Sequence, residues 1–155
     1  MSNGLKVGEK AKDFVLDDHK GEKFKLSDLK GKRVLLSFHP LAWTSICAEQ
    51  MKSLEANFER LEVLNAVAVG ISVDSVPCKK AWAESLGIEK IRILADFWPH
   101  GEVAKLYGTF REENGFSERA NAVVDENGKI AWFKVYEIST LPDIEEILVF
   151  LKNMG

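Results

Sequence analysis

Cysteine is scarce in this 155-residue chain: there are two, Cys47 and Cys78. So few cysteines exclude a disulfide-stapled scaffold and point to thiols that are reactive or free. They form no Cys-x-x-Cys pair, because Thr44 stands where the first cysteine of such a pair would be. No close pair of ligands at zinc-site spacing is present, so no metal is expected. No apolar run approaches the roughly 18 residues of a membrane span. The start, Met1-Ser2-Asn3-Gly4-Leu5-Lys6, lacks the apolar core of a signal peptide, which makes a cytoplasmic protein with no membrane partner the expectation. A glycine-rich phosphate loop is missing, and no cofactor is implied. The net charge of -3 gives no general attraction to nucleic acid, and the lysines from Lys20 to Lys32 lack interleaved aromatics. Repeats, low-complexity tracts and linkers are also absent, so one domain is expected over residues 1–155.

What is present is an ordinary soluble composition, 46% hydrophobic and 29% charged, in a chain long enough to bury a core. Asp13-Phe14-Val15-Leu16 and Lys23-Phe24-Lys25-Leu26 read as short strands about a polar turn near Lys20-Gly21. Val34 to Phe38 is a stronger, buried strand. The helix period that follows, from Ser45 to about Glu62, puts Cys47, Met51, Leu54, Phe58 and Leu61 on one stripe. Ala66 to Val73 reads as a parallel strand, and Pro77 opens a further helix with Ser75 as its cap. Ile91 to Ala95 is a short strand and Gly101 to Tyr107 a short helix. Ala120 to Val124 and Ile130 to Tyr136 flank Asp125-Glu126-Asn127-Gly128-Lys129, a hairpin signal. Ile144, Ile147, Leu148 and Leu151 line a last helix. This order predicts an α/β protein with a mixed sheet and helices on both faces.

Chemistry concentrates where the strand ending at Phe38 gives way to a helix: Pro40-Leu41-Ala42-Trp43-Thr44-Ser45-Ile46-Cys47. A cysteine in a first helical turn meets free backbone N–H groups and the positive end of the macrodipole. Such a place favours the thiolate, which is the nucleophile. The Thr44 hydroxyl can turn toward the sulfur and a bound substrate, and Pro40 can shield the sulfur and lock the loop. Taken singly, these residues would be a packed thiol, a helix cap and a helix-entry proline. Together they form Pro-x-x-x-Thr-x-x-Cys.

That segment resembles the active-site signature of the peroxiredoxins, and the likeness runs through nearly the whole chain. Val69-Gly70-Ile71-Ser72-Val73-Asp74-Ser75 is similar to the family's second parallel strand and turn. Asp96-Phe97-Trp98-Pro99-His100-Gly101, followed by Ala104-Lys105-Leu106-Tyr107-Gly108, resembles the one-cysteine AhpE branch. The resemblance implies a thioredoxin-like fold with an N-terminal β-hairpin, and a thiol-dependent peroxidase acting on hydrogen peroxide and organic hydroperoxides through a Cys47 sulfenic acid. It also implies an arginine shortly before an apolar strand that ends in Asp and a turn. Arg119 holds that place; Arg33, Arg60, Arg92 and Arg111 stand in contexts that look surface-bound or helical. One departure concerns Gln50, which stands where many relatives carry a glutamate that orients the arginine.

Two routes of recycling stay open. Cys78, early in the next helix, can condense with the sulfenic acid, provided the Cα atoms come within about 7 Å. Otherwise Cys78 packs with Trp82 and Leu86, and an external thiol takes its part. The reductant would be thioredoxin, glutaredoxin or a small thiol. His39 and Trp43 are candidates to line the pocket. Trp43, Phe97 and Trp98 fall in loops, and with relatives that dimerise near the active site they suggest a homodimer there. The alternatives are a thiol–disulfide oxidoreductase or a redox sensor on the same scaffold.

Overall fold

The computed structural model describes residues 5–154. Residues 1–4, on which the expectation of no leader partly rests, lie outside the described residues, as does position 155 at the end of the expected domain.

Two buried, mainly apolar strands organise the molecule. β3 (Arg33–Phe38) is buried at every residue and β4 (Ala66–Ser72) at all but Val67, as suits strands covered on both faces. They pair in parallel from Arg33↔Ala66 to Phe38↔Ile71. β5 (Arg92–Ala95) extends the parallel part beyond β4. On the other side of β3 lie β8 (Arg119–Val124) and β9 (Ile130–Tyr136), antiparallel and joined by a turn in which Asp125 Oδ1 accepts from the amides of Asn127 and Lys129. The hairpin of β1 (Val15–Asp18) and β2 (Lys23–Lys25) completes the sheet, β1 pairing antiparallel with β5. Across the seven strands the order is β2-β1-β5-β4-β3-β8-β9.

Alternation along β3 divides the core. Leu36 and Phe38 face a cluster with Phe14, Phe24, Val69, Ile71 and Tyr107, to which the short helix α4 (Glu102–Leu106) contributes Val103 and Ala104. Leu35 faces the other side, under α1 (Ser45–Ala56), α2 (Phe58–Val63), α3 (Val76–Leu86) and α5 (Ile144–Asn153). Met51, Leu54, Leu61, Trp82, Ile147 and Leu151 fill that second cluster, and Cys47 lies within it.

The expected helix from Ser45 to Glu62 is in fact two. Asn57 leaves the helical path (φ -106°, ψ 16°), and its side-chain amide donates to Ser53 O at 2.8 Å. An asparagine that captures a carbonyl one turn back competes with the helical ladder, and here it ends α1 and starts α2. β1 begins two residues later than expected, since Asp13 instead accepts from the Ser27 amide at 2.9 Å. Arg119 is the first residue of β8 rather than a flanking position. A small hairpin of β6 (Phe110–Arg111) and β7 (Phe116–Ser117), absent from the pattern read above, precedes it. No helix among the described residues is long and apolar enough to cross a membrane.

Candidate active site

β3 delivers the chain into a loop that is fastened at several points before α1 begins. His39 and Pro40 are buried. The Ala42 amide donates to Asp74 Oδ2 at 2.8 Å, and Ser72 Oγ donates to the same oxygen. Trp43 takes a left-handed conformation (φ 70°), uncommon for a bulky side chain. Thr44 is the residue before α1, but its hydroxyl caps no amide and donates to Leu41 O at 2.8 Å. The Thr44 hydroxyl is therefore directed at Leu41 O and makes no bond to the sulfur.

Cys47 is wholly buried in the first turn of α1. Arg119, also buried, donates from Nη1 to Cys47 Sγ at 3.4 Å and to Gln50 Oε1 at 2.8 Å. Its Nε donates to Ile138 O at 2.9 Å, so the planar fork is fixed on both sides. The departure at Gln50 does not release the arginine. Its Oε1 takes the orienting contact, while its Nε2 donates to Ser37 Oγ at 2.7 Å and Phe38 O at 3.2 Å. An amide can accept from a guanidinium and donate to the strand behind it at once, whereas an ionised carboxylate can only accept.

The other arginines have different work. Arg60 pairs with Glu145, Arg92 with Asp18 and Arg111 with Glu118. Arg33, expected in a surface-bound or helical context, is buried in β3, where it pairs with Glu126 and donates to the carbonyls of Leu64 and Leu151. Those carbonyls lie at the C-terminal ends of α2 and α5, where helical donors run out.

Cys78 is half-buried on α3, behind the Ser75 cap. Its thiol approaches Asp74 Oδ1 at 3.8 Å, and the Trp43 side chain reaches the same sulfur. Burial and the Asp74 carboxylate push the Cys78 thiol up from its ordinary value. Asp74 thus holds the loop before Cys47 with one oxygen and Cys78 with the other.

His39 does not open on a pocket. It is fully buried, its Nε2 lies 2.9 Å from Lys79 Nζ, and its ring packs against Trp82. Burial and the Lys79 charge hold its imidazole well below the usual 6.5. Lys79 went unnoticed in the sequence, although it lies on the apolar stripe of α3, one turn before Trp82 and Ala83. A lysine on a buried stripe was the signal available. Burial lowers its amine from 10.5 to about 7, against the opposing pull of Asp74, Cys47, Cys78 and Asp96. His100 lies apart, with Nε2 2.7 Å from Gly115 O and its ring on Phe110. Among the described residues no three His, Cys, Asp or Glu side chains cluster as metal ligands.

A thioredoxin-like sheet with a buried cysteine at a strand-to-helix junction and an arginine on its sulfur defines a thiol-dependent peroxidase, a class that the relatives of this chain share. The chain belongs to the AhpC/TSA family, whose model matches residues 7–133. It is 37% identical over 140 residues to alkyl hydroperoxide reductase E of Mycobacterium tuberculosis, covering 90% of this chain and 91% of that protein. It is also 35% identical over 149 residues to the thiol peroxidase of Oceanobacillus iheyensis, covering 96% and 89%. The crystal structure of Enterococcus faecalis AhpC superposes with a TM-score of 0.86 at 28% identity, covering 96% of this chain and 91% of that one. The protein is therefore an AhpE-like peroxiredoxin.

Proposed function

We propose that Cys47 is the peroxidatic nucleophile and that hydrogen peroxide and organic hydroperoxides are its substrates. The Arg119 Nη1–Cys47 Sγ contact of 3.4 Å carries this reading, since a buried guanidinium favours thiolate and offers a donor where negative charge develops. The sulfur attacks the terminal peroxide oxygen and the O–O bond breaks. Sulfur gives up two electrons, a sulfenic acid forms, and the departing alkoxide or hydroxide takes a proton to leave as alcohol or water. Thr44, with its hydroxyl turned from Leu41, and Pro40, packed over the loop, orient the peroxide and limit water access.

Cys78 is the resolving thiol in this reading. Its thiol attacks the sulfenic sulfur, water leaves, and a Cys47–Cys78 disulfide remains for thioredoxin, glutaredoxin or a small thiol to reduce. The support is proximity: the loop before Cys47 and the Cys78 thiol meet the same carboxylate, that of Asp74. Because Cys47 is buried within α1, its first turn must open for the bond to form. A cytoplasmic site of action suits two free thiols. The exposed rings of Trp43, Phe97 and Trp98 suit a homodimer through these loops.

Stopped-flow reaction of the reduced protein with hydrogen peroxide tests the first claim: Cys47→Ser should abolish rapid consumption. If fast turnover survived that change, the nucleophile would lie elsewhere. Peptide mapping after one equivalent of peroxide tests the second. A Cys47–Cys78 link supports resolution by Cys78, while a trappable Cys47 sulfenic acid beside free Cys78 assigns that step to an external thiol. Sedimentation of Trp98→Glu against the parent protein tests the dimer.

A further inference from the structure

We propose that Lys79, paired with His39, is a positioning residue for Cys47: a buried cation at the far end of a polar chain that ends on the sulfur and helps hold it as thiolate. The inference rests on Cys47 being the nucleophile and extends that reading to a residue outside the Pro40-to-Cys47 segment.

The chain runs contact by contact on either side of Ser37, whose main-chain carbonyl meets His39 and whose hydroxyl meets Gln50. Lys79 Nζ lies 2.9 Å from His39 Nε2. His39 Nδ1 faces Ser37 O at 3.5 Å. Ser37 Oγ accepts from Gln50 Nε2 at 2.7 Å, Gln50 Oε1 accepts from Arg119 Nη1 at 2.8 Å, and the same Nη1 donates to Cys47 Sγ at 3.4 Å. When Lys79 is an ammonium it must donate to Nε2. His39 then carries its proton on Nδ1, toward the Ser37 carbonyl.

A second observation brings the same groups together. A Cβ at Gly70 would strike Met51 Sδ and approach His39 Cε1. Met51 stands one turn after Cys47 on α1, so His39 and the helix that carries the nucleophile both close on Gly70 of β4.

Lys79 is fully buried, and among the described residues no carboxylate comes within ion-pair distance of it. Besides His39, its ammonium has the face of Trp82, 5.6 Å from the ring centroid. A buried cation without an adjacent anion is disfavoured unless a negative group near it compensates. The charged and titratable groups facing Lys79 are His39 beyond β3, Cys47 on α1, Asp74 beyond β4, Cys78 on its own helix, Asp96 beyond β5 and His19 beyond β1; Arg119 faces the His39 side. Asp74 pulls hardest on the Lys79 charge, followed by Cys47; Asp74 also accepts from Ala42 and Ser72, and Asp96 from the amides of Val103 and Ala104. The group whose charge changes in the catalytic cycle is Cys47. It is a thiolate before attack and uncharged as sulfenic acid. Linkage is reciprocal: a thiolate that keeps Lys79 protonated is itself favoured by that proton.

The sign sets the pH dependence. Lys79 titrates at about 7, so its charge is present below that pH and absent well above it. Its influence on the sulfur is therefore greatest on the acid side and fades toward alkaline pH.

The experiment is the pH profile of the reaction with hydrogen peroxide for Lys79→Met in a Cys78→Ser background, where one thiol titrates. At about pH 6 the rate should fall roughly three- to tenfold, the half-maximal pH should rise by about half a unit to one unit, and the gap should close by about pH 9. A loss of equal size at every pH, or none, overturns the proposal, since a packing role would move the whole profile together. If Lys79→Met does not fold, the Lys79 amine is titrated by NMR in the intact protein and in Cys47→Ser. Its midpoint should fall when the thiolate is removed, and an unchanged midpoint overturns the inference. Rapid peroxide consumption by Cys47→Ser would instead sink the Cys47 reading, whatever Lys79 does.

Discussion

Gln50 accepts a 2.8 Å hydrogen bond from the same Arg119 nitrogen that donates to the Cys47 sulfur. The amide thereby sets where the guanidinium points. Gln50→Ala should leave the protein folded but slow the reaction with peroxide about tenfold, the effect of losing a hydrogen bond to a charged group. Gln50→Glu tests the amide separately. A carboxylate accepts from Arg119 but repels the Phe38 carbonyl and lacks the N–H that Ser37 receives. Its charge also opposes a nearby thiolate, so the half-maximal pH of the reaction should rise by about one unit. Stopped-flow profiles of both variants measure this, and a Gln50→Glu profile equal to that of the parent protein would mean that the amide's donor end does nothing.

Asp74 supplies the second prediction. Its carboxylate raises the Cys78 thiol, after burial, and ties down the loop through Ala42. In a Cys47→Ser background, Asp74→Asn should let Cys78 ionise at lower pH, and alkylation at neutral pH should speed up by a few-fold, on the order of half a pKa unit. In the protein with both cysteines, the loosened loop should make the Cys47–Cys78 disulfide form faster after oxidation. Slower disulfide formation would show that Asp74 positions Cys78 rather than restraining it.

Much of this architecture is legible in the sequence where one local force dominates. β3 and β4 are apolar runs with nothing to contradict them, and the Pro40-to-Cys47 junction combines a strand end, a helix start and a thiol. Arg119 and Gln50 are legible through their family places, though not their 2.8 Å contact. The misreadings have separate causes: a local side-chain contact, strands too short to show a pattern, and a distant partner. The break at Asn57 depends on one rotamer reaching Ser53 O, against a helix period that runs on past it. β6 and β7 are two residues each, too short to have a period. Lys79 looks like any solvated lysine until His39, forty positions away, is packed against it.

A third prediction concerns stability and pH. Asp18 is buried at the end of β1, where its oxygens accept from the amides of Lys20 and Glu22 and from Arg92 Nε. Burial alone would raise its carboxyl, but these bonds win and hold it below 3.8. A depressed folded value means that the stabilisation is present above the unfolded value and lost as pH falls through the folded one. Asp18→Asn should cost about 1–3 kcal/mol near neutral pH, because an amide replaces part of the acceptor set. The difference from the parent protein should shrink as pH drops below about 4. Denaturant unfolding of both proteins across that range is the check, and a constant gap would assign the loss to packing.

The final prediction separates charge from geometry at Arg119. Three acceptors share its guanidinium: Ile138 O through Nε, and Gln50 Oε1 and Cys47 Sγ through Nη1. Arg119→Met removes both charge and donors, and the second-order rate with hydrogen peroxide should fall by about two to three orders of magnitude. Arg119→Lys keeps a cation, yet a single ammonium cannot reach the sulfur while bonding both a strand carbonyl and an amide. It should recover part of the acid-side reactivity, since a charge still favours thiolate, but fall short at high pH, where the thiolate forms unaided and only oriented donors remain to be missed. If Arg119→Lys matched the parent protein above about pH 9, the guanidinium would act through charge alone, and the fork held by Gln50 and Ile138 would have no part in the attack.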